Sequence, residues 1–324
     1  MNEFRKNFLG LVFFQNFIFR VTHCMPEDVT FSKNINLLTA SEIDRISKFF
    51  VEKFGVNKIR LTGGEPLIRK DFSTILKNYT QKIFSNVDFG ITTNGLLIDR
   101  YIDQLISQNF RINLSMDSLV PTKFAFIARQ PLMSVNKVLK NFNSLLLPQA
   151  DSIKLKLNVV VMRNFNEDEI IDFIELTREN RLEVRFLEYM PFEGNKWSRL
   201  KVATLKDIEN TMDAHYGEKI RRLPPESIHD VTKLYKHEDF KGSIGLISTI
   251  TSPFCGGCNR IRLTADGCMK NCLFSENELD LRKLLRDNCS DDEMESAIRD
   301  HMKTKKFSRD LDRLSSRPMI HIGG

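Results

Sequence analysis

Four of the chain's six cysteines crowd into the stretch Cys255-Gly-Gly-Cys258-Asn-Arg260-Ile-Arg262-Leu-Thr-Ala-Asp-Gly-Cys268-Met-Lys-Asn-Cys272. Two cysteines two residues apart can grip a metal from one tight turn, and the glycines between them let the backbone wrap close to the sulfurs. Asp266-Gly267, set between two alternating runs, signals a hairpin that brings Cys272 back toward Cys258. Arg260 and Arg262 lie two apart on the outgoing strand. They therefore share a face, where their forked donors suit phosphate or carboxylate oxygens. Spacing alone leaves two readings open: a structural zinc knuckle on Cys255, Cys258, Cys268 and Cys272 with solvated arginines, or an iron–sulfur site beside an anion site.

The elements that position this stretch begin far upstream. From residue 39 to about 216, helical and strand patterns alternate. Thr39 with Glu42 forms a capping box, after which Ile43, Ile46, Phe50 and Phe54 line one helix face until Gly55 ends it. Short buried strands are predicted at Lys58–Thr62, Phe89–Thr93, Arg111–Met116, Ile153–Met162 and Leu182–Tyr189. The intervening helices are placed near 71–85, 98–109, 134–147 and 166–180. Repeated units of this kind imply an α/β fold with a parallel sheet, open or closed into a barrel. Polar, loop-forming segments follow each strand: Gly63-Gly64-Glu65-Pro66, Thr92-Thr93-Asn94-Gly95, Ser115-Met116-Asp117-Ser118, Met162-Arg163-Asn164 and Tyr189-Met190-Pro191. Taken singly these are ordinary turns. Together they would share the rim where such barrels place chemistry.

At 324 residues the chain can bury a large core, and 41% hydrophobic with 28% charged content is that of a folded globular protein. The net charge of +6 favours an acidic partner such as a nucleotide, nucleic acid or anionic lipid, although a solvated basic surface is the commoner explanation. Cysteines clustered this way read as metal ligands in a reducing compartment rather than a disulfide framework, with Cys289 an ordinary thiol. No apolar run approaches the ~20 residues that cross a bilayer. The start, Met1 to Arg20, is rich in phenylalanine; Phe8 to Phe14 has the length of a short signal core but lacks a small-residue cleavage site, so no structure is assigned to it. Near 220–245, Leu223-Pro224-Pro225 and a charged run from Lys233 to Lys241 mark a connection into a second unit.

Four segments together carry a family resemblance: Lys58-Ile-Arg-Leu-Thr-Gly-Gly-Glu-Pro-Leu-Ile-Arg69, Arg185-Phe-Leu-Glu-Tyr-Met-Pro-Phe-Glu-Gly-Asn-Lys-Trp197, Phe254-Cys-Gly-Gly-Cys-Asn-Arg-Ile-Arg262 and Arg317-Pro-Met-Ile-His-Ile-Gly-Gly324. From Cys24 to Gly324 the chain resembles the radical S-adenosylmethionine (SAM) enzymes, and among them the GTP 3′,8-cyclases of molybdenum cofactor biosynthesis in their animal form. The resemblance implies an incomplete parallel βα (TIM-like) barrel over 21–220, a C-terminal iron–sulfur and GTP-binding domain over 221–324, and a divergent segment at 1–20. It places SAM near Gly64, Ser115 and Met190. It puts GTP on Arg60, Thr92, Lys156, Arg185, Arg260 and Arg262, the last two with a catalytic role. A [4Fe-4S] cluster falls to Cys255, Cys258 and Cys272, its open iron binding guanine, with Cys268 incidental. By residue type alone Arg60 and Lys156 would be strand-edge salt bridges. The terminal Gly323-Gly324 resembles the family's double glycine that reaches into the active site.

The implied reaction converts GTP to 3′,8-cyclo-GTP through a SAM-derived radical. A cyclic pyranopterin monophosphate synthase takes the product, an electron donor supplies the cluster, and no nucleic acid or membrane is involved. A homodimer and either a mitochondrial matrix or a cytoplasmic location fit equally. One departure stands out. The radical-generating cluster needs Cys-x3-Cys-x2-Cys, and only Cys24 is present, with Phe17 and Val21 at the other two positions, His23 in place of an aromatic and Gly10 where a substrate arginine is expected. One thiolate cannot hold a cubane, so the chain as written should not cleave SAM. Either the residues before about Val21 stem from a faulty or alternative first exon, or the chain is a GTP-binding pseudoenzyme. A zinc-containing nucleic-acid-binding module is the third reading.

Overall fold

The structure, a computed structural model, describes the backbone of residues 8–12 and all of 37–147, 153–192 and 194–306. Cys24, Phe17, Val21 and Gly323-Gly324 lie outside these residues.

The strands are β1 (Phe8–Val12), β2 (Lys58–Thr62), β3 (Asp88–Thr93), β4 (Arg111–Ser115), β5 (Leu155–Val161), β6 (Glu183–Glu188), β7 (Ile220–Arg222), β8 (Lys233–His237), β9 (Ser243–Ile247), β10 (Arg260–Leu263), β11 (Cys268–Lys270) and β12 (Leu279–Asp280). They form one sheet in the order β12-β11-β10-β1-β2-β3-β4-β5-β6-β9-β8-β7. From β10 through β1 to β6 and on to β9, every neighbouring pair is parallel. Antiparallel strands flank both ends. β9 and β10 do not pair, so the barrel is incomplete, and residues 248–259 run from one edge of the parallel array to the other.

Helices cover the outer face, and the capping chemistry that sets them is local. Helix α1 (Ala40–Phe54) starts at Thr39 with both halves of the capping box formed and ends at Gly55 in the left-handed region, φ 62°. Its predicted face is buried, Ile46 and Phe50 almost completely. The same box recurs at Thr204/Asp207 and Ser290/Glu293, opening the helices Leu205–Tyr216 and Asp291–Lys303. The stretches read as long helices are shorter. Residues 71–85 resolve into the helix Phe72–Asn78 and a turn at Lys82–Phe84, because Tyr79 and Phe84 turn inward to pack on each other and on Phe89. A helix not foreseen, Pro121–Ala128, begins on a proline at its first turn.

Strand alternation divides the residues by face. Ile59, Leu61, Ile91, Ile112, Leu114, Leu157, Val159, Val184, Phe186, Ile244, Leu246 and Ile261 are buried against the helices in one continuous core. The alternate positions, Lys58, Arg60, Arg111, Lys156, Asn158, Glu183, Arg185, Arg260 and Arg262, are polar and only partly buried. A strand with one apolar and one polar face needs water or a ligand on the polar side. The inner face of this barrel is therefore built for an ionic occupant.

The segment left unassigned in the sequence supplies β1. Its register with β2 and β10 sets Gly10 level with Arg60 on one side and Arg262 on the other.

Candidate functional site

The inner face collects cations from strands far apart in sequence. Arg60 of β2 lies over Gly90 of β3, where an added Cβ would sit 3.4 Å from the guanidinium carbon. Its Nη1 is buried. Burial lowers its pKa to about 10, Arg185 and Arg111 push the same way, and Asp88 and Glu183 oppose them. Charges on β3, β4 and β6 thus act on one side chain of β2, which places them around one lumen. Arg111 donates to Asp88 at 2.6 Å, and Lys156 donates to Glu183 at 2.5 Å, with Arg185 paired to the same carboxylate. Burial, then repulsion from Arg185, lowers the Lys156 ammonium to about 8. Among the described strand positions facing inward, the cations Lys58, Arg60, Arg111, Lys156, Arg185, Arg260 and Arg262 outnumber the acids Asp88 and Glu183. Cations held out of bulk water without matching acids mark an anion site.

The barrel has two functional ends. At the carboxyl ends of the strands, Gly64 follows β2, Ser115 ends β4 and Met190 follows β6, so the three residues named for SAM share one rim. Glu65 is buried there and accepts from Thr93 Oγ1 at 2.7 Å, Asn94 N at 2.8 Å and Leu67 N at 3.1 Å. Burial raises its carboxyl to about 7 despite those donors. It staples the turn after β2 to the end of β3. The loop after β6 braces itself. Trp197 Nε1 donates to Tyr189 O at 2.8 Å, Asn195 Nδ2 to Met190 O at 2.8 Å, and Tyr189 Oη to Asn195 O. Met190 is thereby fixed against Phe192 and Ile250. Beside this rim a cavity of about 860 Å³ opens between Phe126, Arg163 and Lys196.

At the other end, Cys255 and Cys258 sit in the turn that feeds the first residue of β10. The predicted hairpin forms: Gly267 takes φ 84°, and Arg262 pairs with Lys270. Continuing that register brings Cys272 opposite Arg260. Cys258 and Cys272 both act electrostatically on Arg262 and on Lys305, so the two thiols flank the same pair of cations. Arg260 Nη2 reaches Cys258 Sγ at 3.8 Å, and its guanidinium lies 4.5 Å over the Phe254 ring. Burial pushes the Cys258 thiol up, but Arg260 and Lys305 pull it down further, to about 7. A thiol so placed is ready to ligate. Among the described residues no group of three or more His, Cys, Asp or Glu side chains is gathered around a point where one metal ion would sit. Cys255, Cys258 and Cys272, none of them in a disulfide, suit a thiolate-held iron–sulfur cluster better than a single hard cation, and His229 at their turn is engaged through Nδ1 with Gly257 O at 2.8 Å.

The model of the Radical SAM superfamily matches residues 21–177, and that of Molybdenum Cofactor Synthesis C matches 182–311. Molybdenum cofactor biosynthesis protein 1 of Dictyostelium discoideum is 40% identical over 94% of this chain and 48% of its own length. The mitochondrial GTP 3′,8-cyclase of Arabidopsis thaliana is 38% identical over 94% of this chain and 78% of its own. The GTP 3′,8-cyclase of Syntrophomonas wolfei is 36% identical, over 94% and 93%. The chain belongs to the GTP 3′,8-cyclase family. It spans about half the length of the molybdenum cofactor biosynthesis proteins it matches. Its fold is that of Streptococcus suis SuiB, solved bound to S-adenosylmethionine, with a TM-score of 0.57 at 14% identity over 90% of this chain and 68% of that one. As a member of the GTP 3′,8-cyclase family, the chain has a radical SAM barrel with a C-terminal molybdenum cofactor synthesis region.

Of the residues named from the sequence, Arg60, Lys156 and Arg185 converge in the lumen, and Arg260 and Arg262 lie beside Cys258 and Cys272. Thr92 stands on β3 in register with Asn113, which is in turn level with Lys156. Residue-type reasoning made Lys156 a strand-edge salt bridge. The bridge exists, to Glu183, but on interior strands and on the ligand-facing side. Arg111, Asn113, Glu183 and Lys305 were missed. Strand parity was the signal for Arg111, Asn113 and Glu183, which alternate with buried apolar residues, whereas Lys305 follows the helix Asp291–Lys303 and donates to Arg260 O at 2.7 Å, where no strand pattern marks it.

Proposed function

We propose that this chain is a GTP 3′,8-cyclase of molybdenum cofactor biosynthesis that keeps its substrate-binding residues except the arginine replaced by Gly10, and that as written it binds GTP without cleaving SAM. The observation that carries this is the cation-lined lumen between a SAM-type rim and a thiol-bearing end. GTP lying along the barrel sets its triphosphate against Arg60, Thr92, Lys156, Arg185, Arg260 and Arg262. Its guanine then faces the cluster that Cys255, Cys258 and Cys272 would hold. When bound, the clusters and SAM supply the hydrogen-abstracting radical that joins C3′ to C8. The chain's own work is orientation and exclusion of water. Arg260 and Arg262 hold the ligand between phosphate and sulfur, Glu65 locks the rim turn, and the braced loop at Met190 closes over the SAM end. Gly64 and Ser115 complete that end. Cys24 alone cannot carry the radical-generating cluster, which supports the reading that this step is missing.

The same reading calls for an external electron donor and a synthase that consumes the product. The Arabidopsis protein is named mitochondrial, which favours the matrix over the cytoplasm here. Among the described residues no helix is long and apolar enough to cross a membrane.

Anaerobic reconstitution with iron and sulfide tests the proposal. One cluster of about four irons, GTP binding and no 5′-deoxyadenosine are expected. Two clusters, or turnover to 3′,8-cyclo-GTP, would refute the loss of the radical step. Tightly bound zinc without sulfide would refute the iron–sulfur site.

A further inference from the structure

Glu183 and Asp88 are the acidic side chains among the inward-facing cations of the described strands, and Glu183 occupies a particular place. It opens β6 in register with Lys156 on β5, and its two oxygens are divided between Lys156 Nζ, at 2.5 Å, and Arg185 Nε. All three side chains are about one-sixth exposed. On the next strand stands Gly245, where an added Cβ would lie 3.1 Å from Arg185 Cγ and 3.5 Å from Glu183 Oε1. The nearest atom to such a Cβ is Thr232 Cγ2 at 2.5 Å, so the glycine makes room for Thr232 and, less tightly, for the Arg185 stem. We propose that Glu183 is a positioning residue of the anion site, holding the Lys156 ammonium and the Arg185 guanidinium side by side as a counter-ion that an incoming phosphate replaces. The inference rests on the proposed function, since it takes Lys156 and Arg185 as ligands for the triphosphate.

The physics is that of two cations forced together. Both carry a positive charge, both are withdrawn from bulk water, and without an acid between them the two would splay apart or the Lys156 ammonium would lose its proton. From β4 Arg111 faces Lys156, from β6 Glu183 and Arg185 do, and the neighbours Asn113 and Asn158 are neutral. Burial, Arg185 and Arg111 all lower the Lys156 pKa, and Glu183 alone among these groups raises it. Take the carboxylate away and Lys156 falls below about 8, which brings its loss of charge into the working pH range. The sign follows. Lys156 binds phosphate only when protonated, so affinity is full below its pKa and fades as pH rises through it.

The experiment is GTP titration of the reconstituted protein from about pH 6.5 to 8.5, in wild type, Glu183→Gln and Lys156→Arg. At about pH 6.5 E183Q should match wild type within about threefold, and at about pH 8.5 it should bind about tenfold more weakly, as a fall of one pH unit in the Lys156 midpoint requires. K156R, which keeps its charge, should erase the difference between pH values with or without E183Q. A uniform loss across pH, or an unmoved midpoint, would overturn the proposal and leave Glu183 a structural residue. Acetic anhydride labelling of Lys156 across pH, without GTP, gives its midpoint directly. Failure of wild type to bind GTP would thus refute the proposed function, while the labelling midpoint still decides the part played by Glu183.

Discussion

Replacing Arg60 by methionine should make the empty protein more stable and the nucleotide complex weaker. Arg60 places a charge among Arg185 and Arg111 with Nη1 buried, and burial with these neighbours lowers its pKa to about 10. At ~1.4 kcal/mol per pH unit, the fall from its ordinary value of 12.5 puts the cost of keeping it charged at no more than about 3.5 kcal/mol. Water in the lumen reduces that figure, and methionine keeps the stem's contacts while losing the hydrogen bonds of the head, so about 1 kcal/mol should remain. The sign is that of a base whose folded pKa is depressed: the cost is present at all pH values below about 10 and vanishes only above it. At neutral pH, urea unfolding of R60M should therefore show a higher midpoint with an unchanged slope. GTP affinity should fall in the same protein by about 1.5–3 kcal/mol, the worth of a charge-assisted hydrogen bond. A lower urea midpoint would refute the reasoning, for it would mean that Arg60 stabilises the fold as one member of a satisfied ion-pair network. Unchanged GTP affinity would remove it from the substrate site.

Three further outcomes follow from the geometry. Glu188 is buried and accepts from Leu205 N, Ile250 N, Thr251 N and Thr251 Oγ1, so E188A should cost about 3 kcal/mol or more in urea unfolding by stranding backbone donors. It should also lower iron content, because three of those donors, on Ile250 and Thr251, lie in the segment that carries Cys255 and Cys258. Gly95 has φ 79° and room for no Cβ, which would meet Leu114 Cδ1 at 2.4 Å. G95A should lose about 1–3 kcal/mol, measured the same way. Cys258→Ser should abolish the cluster absorbance of reconstituted protein, whereas Cys268→Ser, on β11 rather than in the turn, should leave about four irons per chain; equal losses would restore the four-cysteine zinc reading.

Local chemistry was the legible part. The capping box at Thr39, the buried stripe through Phe50 and the turn at Asp266-Gly267 are written within a few residues of themselves, and each forms as read. The rim was legible for the same reason, since polar turns must end strands of a parallel barrel. Two kinds of feature were not. The strand Phe8–Val12 is a short apolar run with no flanking helix pattern, and only its pairing with β2 and β10 distinguishes it from a signal core. The Lys156–Glu183–Arg185 group depends on strand register across a helix, and no local rule states which residue on β6 stands beside Lys156. The family resemblance named Lys156 and Arg185, but Glu183 between them emerged only from the pairing.

The position of β1 has a consequence for how the molecule is made. The strand is near the amino terminus, yet it lies between β2 and β10, and so forms the seam by which the hairpin bearing Arg260, Arg262 and Cys272 joins the rest of the sheet. During synthesis one edge of β1 must wait, unpaired, until residue 263 has left the ribosome. Such a wait exposes a strand edge to other chains, and pairing so remote in sequence is slow. Any alteration of residues 8–12 would then act at the far end of the chain as well. Its effect would register as failure of the last hairpin to dock, with the thiol end left open to solvent, before any defect appeared in the barrel's central strands.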